Sequence, residues 1–255
     1  MNAGELLARV PFGRCQSRVA CGTLGDVPLL HSSLSRRSID TVFFGPDSYR
    51  FASFLQREAH KFPRDARVVD VGTGTGVGAV ALLQRRPDLR VVLSDISTIA
   101  LRLARINLTA SHMAADYAQS DGLLAVAGPI DVVIANPPYL GGGIGRTYRK
   151  GGGDLGAGLA IDWVQQAAQR LQPGGSILLY TGSAIVDGRD TVREAIVPAL
   201  RGAGYDVAYE EVDTDIFGRT LWLPAYWNVD RIAAVTMVAT KSVRGSPIDM
   251  RGHSG

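Results

Sequence analysis

Residues 68–79 read VVDVGTGTGVGA. Valines around Asp70 mark a short buried strand, glycines follow at 72, 74, 76 and 78, and Ala79-Val80-Ala81-Leu82-Leu83 opens a helical pattern. A strand, a glycine turn and a helix in that order make a cradle for a nucleotide. Glycine reaches positive φ and lets a ligand approach bare amides. The start of a helix adds N–H groups that have no partner within the helix. The spacing leaves two ligand classes open. Gly74-Thr75-Gly76-Val77-Gly78-Ala79 matches the dinucleotide form G-x-G-x-x-A. That form also asks for an acidic residue about 20 positions on, and Asp95 stands there. Asp70, inside the strand and followed by Gly72, Gly74 and Gly76, sets up a different order, D-x-G-x-G-x-G.

A chain of 255 residues can bury a substantial core and fits one α/β domain with embellishments. Its 46% hydrophobic and 20% charged residues are ordinary for a globular protein. A net charge of +3 is too slight to point to a polyanion, so a nucleic-acid partner is possible but not favoured. Cys15 and Cys21 fit no metal spacing and the four histidines are scattered, so no metal is expected. The opening MNAGELLARV carries Glu5 and no apolar signal core. No run approaches the roughly 18 apolar residues that span a bilayer. The expected setting is therefore cytoplasmic with no membrane partner, and the oligomeric state is left open.

Residues 1–40 are weakly patterned and read as an N-terminal extension, with a short helix over 4–10 and a hairpin over 21–30 turning at 24–26. Arg36-Arg37 reads as a solvated pair. A short apolar run, 41–44, meets the turn signal Gly45-Pro46, and Asp47 is placed to cap a helix from Ser48 through Phe51, Phe54 and Leu55. Beyond the cradle, a buried strand over 90–94 ends at Asp95 and a helix covers 98–108. Residues 114–118 make a poor strand that leads to Ser120-Asp121-Gly122, and 130–135 make a strand that ends at Asn136-Pro137-Pro138-Tyr139. A glycine-rich loop, 141–158, precedes a helix over 159–171, a strand over 176–181 and a helix over 190–201. Residues 206–212 and 232–240 read as a closing antiparallel pair, and 242–255 as a disordered tail. Strands alternating with helices predict an α/β fold with a doubly wound, mostly parallel sheet. Ligands of such sheets sit beyond the carboxyl ends of the strands, which is where Asp70, Asp95, Asp121 and Asn136 fall.

Asp95 would accept hydrogen bonds from ribose hydroxyls, or cap the helix that follows it. Asp121 would accept from an adenine amine, or serve as a turn aspartate. The Asn-Pro-Pro-Tyr corner answers a chemical problem: a planar nitrogen has a delocalised lone pair and is a poor nucleophile. The Asn136 side-chain oxygen and the Pro137 carbonyl could accept both its hydrogens, on a loop that proline stiffens, while Tyr139 stacks on the flat acceptor. Catalysis would be alignment and charge stabilisation, without a dedicated base.

With Asp70-x-Gly72-x-Gly74-x-Gly76 and Asn136-Pro137-Pro138-Tyr139 together, the chain resembles class I S-adenosylmethionine-dependent methyltransferases. Within them it is similar to HemK-type protein-glutamine enzymes, the small-domain group and relatives acting on base amines. Residues 42–49 look like that family's pre-core segment. The resemblance implies seven strands, a methyltransferase domain over 41–241 and S-adenosylmethionine as cofactor. It gives catalysis to Asn136, Pro137 and Tyr139. It gives cofactor contacts to Asp47, Asp70, Gly72, Thr73, Gly74, Gly76, Asp95, Ile96, Asp121, Gly122 and Asn136. Acceptor contacts are expected from Arg146, Tyr148 and Arg149 in the glycine-rich loop, and from Phe217 and Trp222 in an aromatic insertion, 213–230, readable as a lid or an oligomer contact. The residues before 41 do not read as the helical domain that HemK-type enzymes carry, and no segment reads as a DNA target-reading domain. The implied acceptor is a planar nitrogen on a peptide, protein or small molecule. The rivals are a nucleic-acid methyltransferase acting on an exocyclic base amine and an NAD(P)-dependent oxidoreductase.

Overall fold

The computed structural model describes residues 7–10, 14–33, 41–140 and 155–243. Its sheet is built around β5 (Arg67–Val71), which pairs in parallel with β6 (Arg90–Asp95) on one side and β8 (Ile130–Ala135) on the other. β7 (Asp116–Gln119) adds beyond β6 in parallel, and β9 (Leu171–Val186) beyond β8. The reversed strand β12 (Arg231–Lys241) then joins β9 to β11 (Tyr205–Asp213). The order β11-β12-β9-β8-β5-β6-β7 holds seven strands, and the two-residue β10 (Arg189–Asp190) pairs with β9 off that path. This is the expected doubly wound, mostly parallel sheet.

Helices cover both faces, so the central strands are apolar throughout rather than alternating. Successive side chains still point to opposite faces. Val68 joins the core under α1 (Pro46–Glu58) and α2 (Val77–Leu83), whereas Val69 joins the core under α4 (Gly158–Arg170) and α5 (Thr191–Gly202). The strand order reverses at β5, and the crevice beyond the carboxyl ends of β5 and β8 is the switch point where such sheets take ligands.

Several local expectations change. The helix expected over 4–10 is replaced by β1 (Leu7–Val10), paired antiparallel with β2 (Arg14–Ser17), because strand pairing outcompetes a helix too short to stand alone. The hairpin is β3 (Val19–Leu24) with β4 (Val27–Ser32), turning at Gly25-Asp26, and its Leu24 and Leu29 enter the main core. Helix α1 starts earlier than expected, with Gly45 as its cap and Pro46 at its first position. Asp47 therefore lies inside the helix and does not cap it.

Strand β9 is far longer than 176–181. Pro173-Gly174-Gly175, which precedes the expected strand, lies within it at a register shift against β8. Its far end runs to an Asp187-Gly188 turn with φ of 50° and 73°, the turn chemistry that Asp-Gly supports. The helix after Asp95, α3 (Thr98–Ala110), is capped by Ser97, whose side chain accepts from Ala100 N. Arg36-Arg37, Arg146, Tyr148, Arg149 and the tail beyond Val243 lie outside the described residues.

Candidate active site

The glycine loop gets its shape from backbone bonds before any ligand is considered. Gly72 N and Thr73 N both donate to Ser94 O, at 2.8 and 3.1 Å, which fastens the end of β5 to the end of β6. Gly72 and Gly74 hold φ of 66° and 55°, a region that side chains disfavour. A Cβ on Gly72 would also stand 2.4 Å from the Trp163 ring. Gly76 serves differently from what its motif position suggests. It begins α2 at φ 80° and sits on Leu108, Ala104 and Leu93, outside the lining of the cavity.

Beyond the loop opens a cavity of about 690 Å³, well within the range of small-molecule sites. Asp47, Asp70, Gly72, Thr73, Gly74, Asp95, Ile96, Asp121, Gly122, Asn136, Pro137, Tyr139 and Phe217 all line it. All the expected cofactor residues except Gly76 therefore face one space with the Asn-Pro-Pro-Tyr corner. Trp222 does not line it and is 79% exposed. Among the described residues no cluster of His, Cys, Asp and Glu could hold a metal ion.

Asp95 is oriented rather than free. One oxygen accepts from Gly74 N at 3.0 Å and the other from Ser97 N at 2.9 Å. With Ser97 doing the capping, Asp95 keeps free lone pairs and lines the cavity. Burial raises its pKa against these stabilising N–H bonds. Asp70 is buried and accepts from Thr73 Oγ1 at 2.7 Å, and burial pushes its carboxyl up to about 7. Ile96 lines the cavity and is largely exposed, an apolar surface suited to the face of a flat ring. Gly122 turns at φ 58°, with Ser94 Oγ donating to its carbonyl at 2.7 Å.

Asn136 and Pro137 follow β8 directly, which places the corner at the switch point. The hydrogen bonds among the described residues leave the Asn136 side chain unengaged. Tyr139 is a different matter. It is buried, its hydroxyl donates to Asp47 Oδ2 at 2.7 Å, and its ring lies so close to Gly182 that a Cβ there would come within 2.3 Å. Tyr180 of β9 donates to the other oxygen of Asp47 at 3.0 Å. Burial and the Asp47 charge raise both phenol pKa values, so both remain protonated donors. Asp47 is thus the anchor of the corner, with both its oxygens committed to tyrosines. Phe217 meets the Tyr139 ring edge-on at 5.8 Å between centroids and is itself half-exposed to the cavity.

Sequence reasoning missed Phe43, Phe51, Leu159 and Trp163, which supply apolar lining, and Tyr180. In the sequence Phe51 reads as part of the helix from Ser48, and Trp163 simply falls within the helix expected over 159–171. Nothing local marks Tyr180, which meets Asp47 across 133 positions.

Comparison with known proteins finds methyltransferases. The curated relatives include release factor glutamine methyltransferase of Deinococcus radiodurans, 32% identical over 169 residues, covering 62% of this chain and 57% of the relative. The enzyme of the same name from Mycolicibacterium smegmatis is 44% identical over 85 residues, covering 32% and 30%. Ribosomal RNA small subunit methyltransferase C of Shewanella sediminis is 32% identical over 117 residues, covering 46% and 31%. The chain spans little more than half the length of the first of these and less of the others. Among solved structures, a methyltransferase from Pyrococcus furiosus superposes with a TM-score of 0.54 at 17% identity, covering 80% of this chain and 89% of that one. A SAM-dependent methyltransferase from Agrobacterium tumefaciens gives 0.56 at 15%, covering 94% and 75%. These two likenesses concern the fold. The model of the methyltransferase small domain matches residues 47–187, which run from the Asp47 anchor through the cradle and the Asn-Pro-Pro-Tyr corner into β9, and the chain belongs to that family.

Proposed function

We propose that the chain is an S-adenosylmethionine-dependent methyltransferase that methylates a planar nitrogen, the amide of a peptide or protein in the first place, in the cytoplasm. The observation that carries this reading is the shared cavity. The Asn136–Pro137 carbonyl pair and the Asp95 carboxylate line the same space, so a nucleoside held by one lies beside an acceptor held by the other. When bound, S-adenosylmethionine supplies an electrophilic methyl group on a sulfonium. Asp95, preset by Gly74 N and Ser97 N, accepts from vicinal hydroxyls, and Ile96 covers a flat ring. Asn136 Oδ1 and the Pro137 carbonyl accept the two hydrogens of the acceptor nitrogen and hold its lone pair toward the cavity. The proton shed by that nitrogen passes to water. Tyr139 fixes the corner, and the exposed aromatic face beside the acceptor is that of Phe217.

The glutamine-directed relatives support the amide acceptor. The ribosomal RNA relative favours a second reading, a base amine in RNA. Membership in the methyltransferase small domain family removes support from the dinucleotide reading of residues 74–79. The deciding experiment transfers labelled methyl from S-adenosylmethionine into cell extract fractionated into protein, RNA and small molecules. Label is expected in protein, lost on Asn136→Ala by about 100-fold or more and lost on Asp95→Ala through weakened cofactor binding. Label in RNA would establish the second reading. Label that persists with both variants would overturn the assigned site.

A further inference from the structure

The hairpin that precedes the methyltransferase domain is fastened to the glycine loop by one side chain. Asn107, on α3 and only 1% exposed, accepts from Leu30 N at 2.8 Å. Its amide nitrogen donates to Leu30 O at 3.0 Å and to Thr75 O at 2.9 Å. Leu30 is on β4, and Thr75 is a cavity-lining residue of the loop. Asn107 thus completes a strand-like exchange with Leu30 and spends its remaining hydrogen on the loop. A primary amide is suited to this, since it carries one acceptor and two donors in a single plane.

The hairpin in turn shapes the cavity wall. Ser32 N donates to Val42 O at 3.0 Å, and Val42 N donates to Ser32 Oγ at 2.9 Å. Val42 lines the cavity and stands 3.8 Å from where a Cβ of Gly74 would lie. Leu29 is fully buried in the main core, which keeps the hairpin from swinging away.

We propose that Asn107 is a positioning residue that makes the β3–β4 hairpin part of the nucleoside site, so that the glycine loop and the Val42 wall order together. The proposal rests on the cofactor reading above. By linkage, a ligand that settles the loop must also settle the hairpin, and loosening the hairpin must weaken the ligand.

The test pairs calorimetric binding of S-adenosylhomocysteine with hydrogen exchange of the peptide covering 27–32, on the full chain. In the unaltered protein, S-adenosylhomocysteine is expected to slow exchange of the Leu30 amide, although the cavity lining does not include Leu30. Asn107→Leu, folded by circular dichroism, is expected to bind about tenfold or more weakly, with hairpin exchange that no longer responds to ligand. Asn107→Asp keeps the acceptor for Leu30 N but sets oxygens against two carbonyls, and is expected to fail likewise. Ser32→Ala cuts the second fastening and is milder. It is expected to lower affinity in the same direction, which keeps the question answerable if Asn107→Leu does not fold. A purely structural asparagine would lower stability and leave ligand-dependent protection of the hairpin intact, and that result overturns the proposal. An unaltered protein that binds no S-adenosylhomocysteine overturns the cofactor reading instead.

Discussion

Asp70 shows how one residue can be legible in identity and illegible in state. The D-x-G-x-G-x-G order marks it, but only the packing around it says that burial pushes its carboxyl up to about 7, with Asp95 adding a smaller push in the same direction. The sign follows from the protons bound. Unfolded, the group ionises near the ordinary carboxylate value of 3.8. Folded, it keeps its proton to about 7. Across that window the folded state holds the extra proton, so stability is full below the lower value and is lost as pH rises through the upper one. Some three pH units at 1.36 kcal/mol each put the loss on the order of 4 kcal/mol. Asp70→Asn should remove this slope. Urea midpoints at pH 5 and pH 8 are expected to differ less in the variant than in the unaltered chain, and parallel profiles would refute the assignment. Local order also revealed Asp95 and Asn136, because each follows a strand that its own valines and isoleucines announce. Asp47 was legible as a helix cap and, through the resemblance, as a cofactor contact, but not as the anchor of the corner. Its real partners, Tyr139 and Tyr180, lie 92 and 133 positions away, and no local pattern encodes such distances. The tyrosine of the motif turned out to be a buried support, since its hydroxyl found a carboxylate and its ring found Gly182.

The aromatic insertion shows the same limit for a whole element. Composition suggested a lid or a contact surface, and the structure divides its aromatics between inside and outside. Tyr226 and Ile216 are buried, Phe217 turns into the cavity at φ 58°, and Trp222 and Trp227 face solvent. A phenylalanine in the left-handed region costs about 1–3 kcal/mol, so the surrounding bonds must hold it there. Ile216 N donates to Ile232 O at 2.7 Å, Arg231 donates to Thr214 O at 2.8 Å, and Arg50 of α1 is ion-paired with Asp213 where the segment leaves β11. That last pair is partly exposed, so Asp213→Ala should lower global stability by less than about 1 kcal/mol. Its effect should be local. Chymotrypsin cleavage between residues 217 and 227 is expected to quicken several-fold at an unchanged urea midpoint, and an unchanged cleavage rate would show that the carbonyl bonds alone retain the segment. Strand β9 exceeds the expected 176–181 at both ends: Pro173-Gly174-Gly175 fall at a register shift against β8, and the strand continues to Ile185 by pairing with β12.

At the scale of the molecule, the sheet places residues that are distant in sequence on a common floor. β5, β6 and β8 end together at the point where the strand order reverses. The loops that follow them carry the cradle, Asp95 and the Asn-Pro-Pro-Tyr corner into one cavity. This convergence was readable in advance, since alternating strand and helix patterns fix a doubly wound sheet and such sheets have one switch point. The walls were not, because Trp163 and Phe51 arrive through packing of helices, and Val42 is held by a hairpin from an N-terminal segment with little pattern of its own. A ligand that fills the cavity therefore touches elements from most of the chain and should stabilise the molecule as a unit. Free S-adenosylhomocysteine at 100 times its dissociation constant adds about 2.7 kcal/mol, which for a domain of this size raises Tm by roughly 5–10 °C. NADH, the ligand of the dinucleotide reading that the family match does not support, should give no comparable shift. Differential scanning calorimetry with each ligand decides the matter. A larger shift with NADH would return the glycine loop to the dinucleotide class, and equal shifts would mean that the cavity reads only the adenosine that the two ligands share.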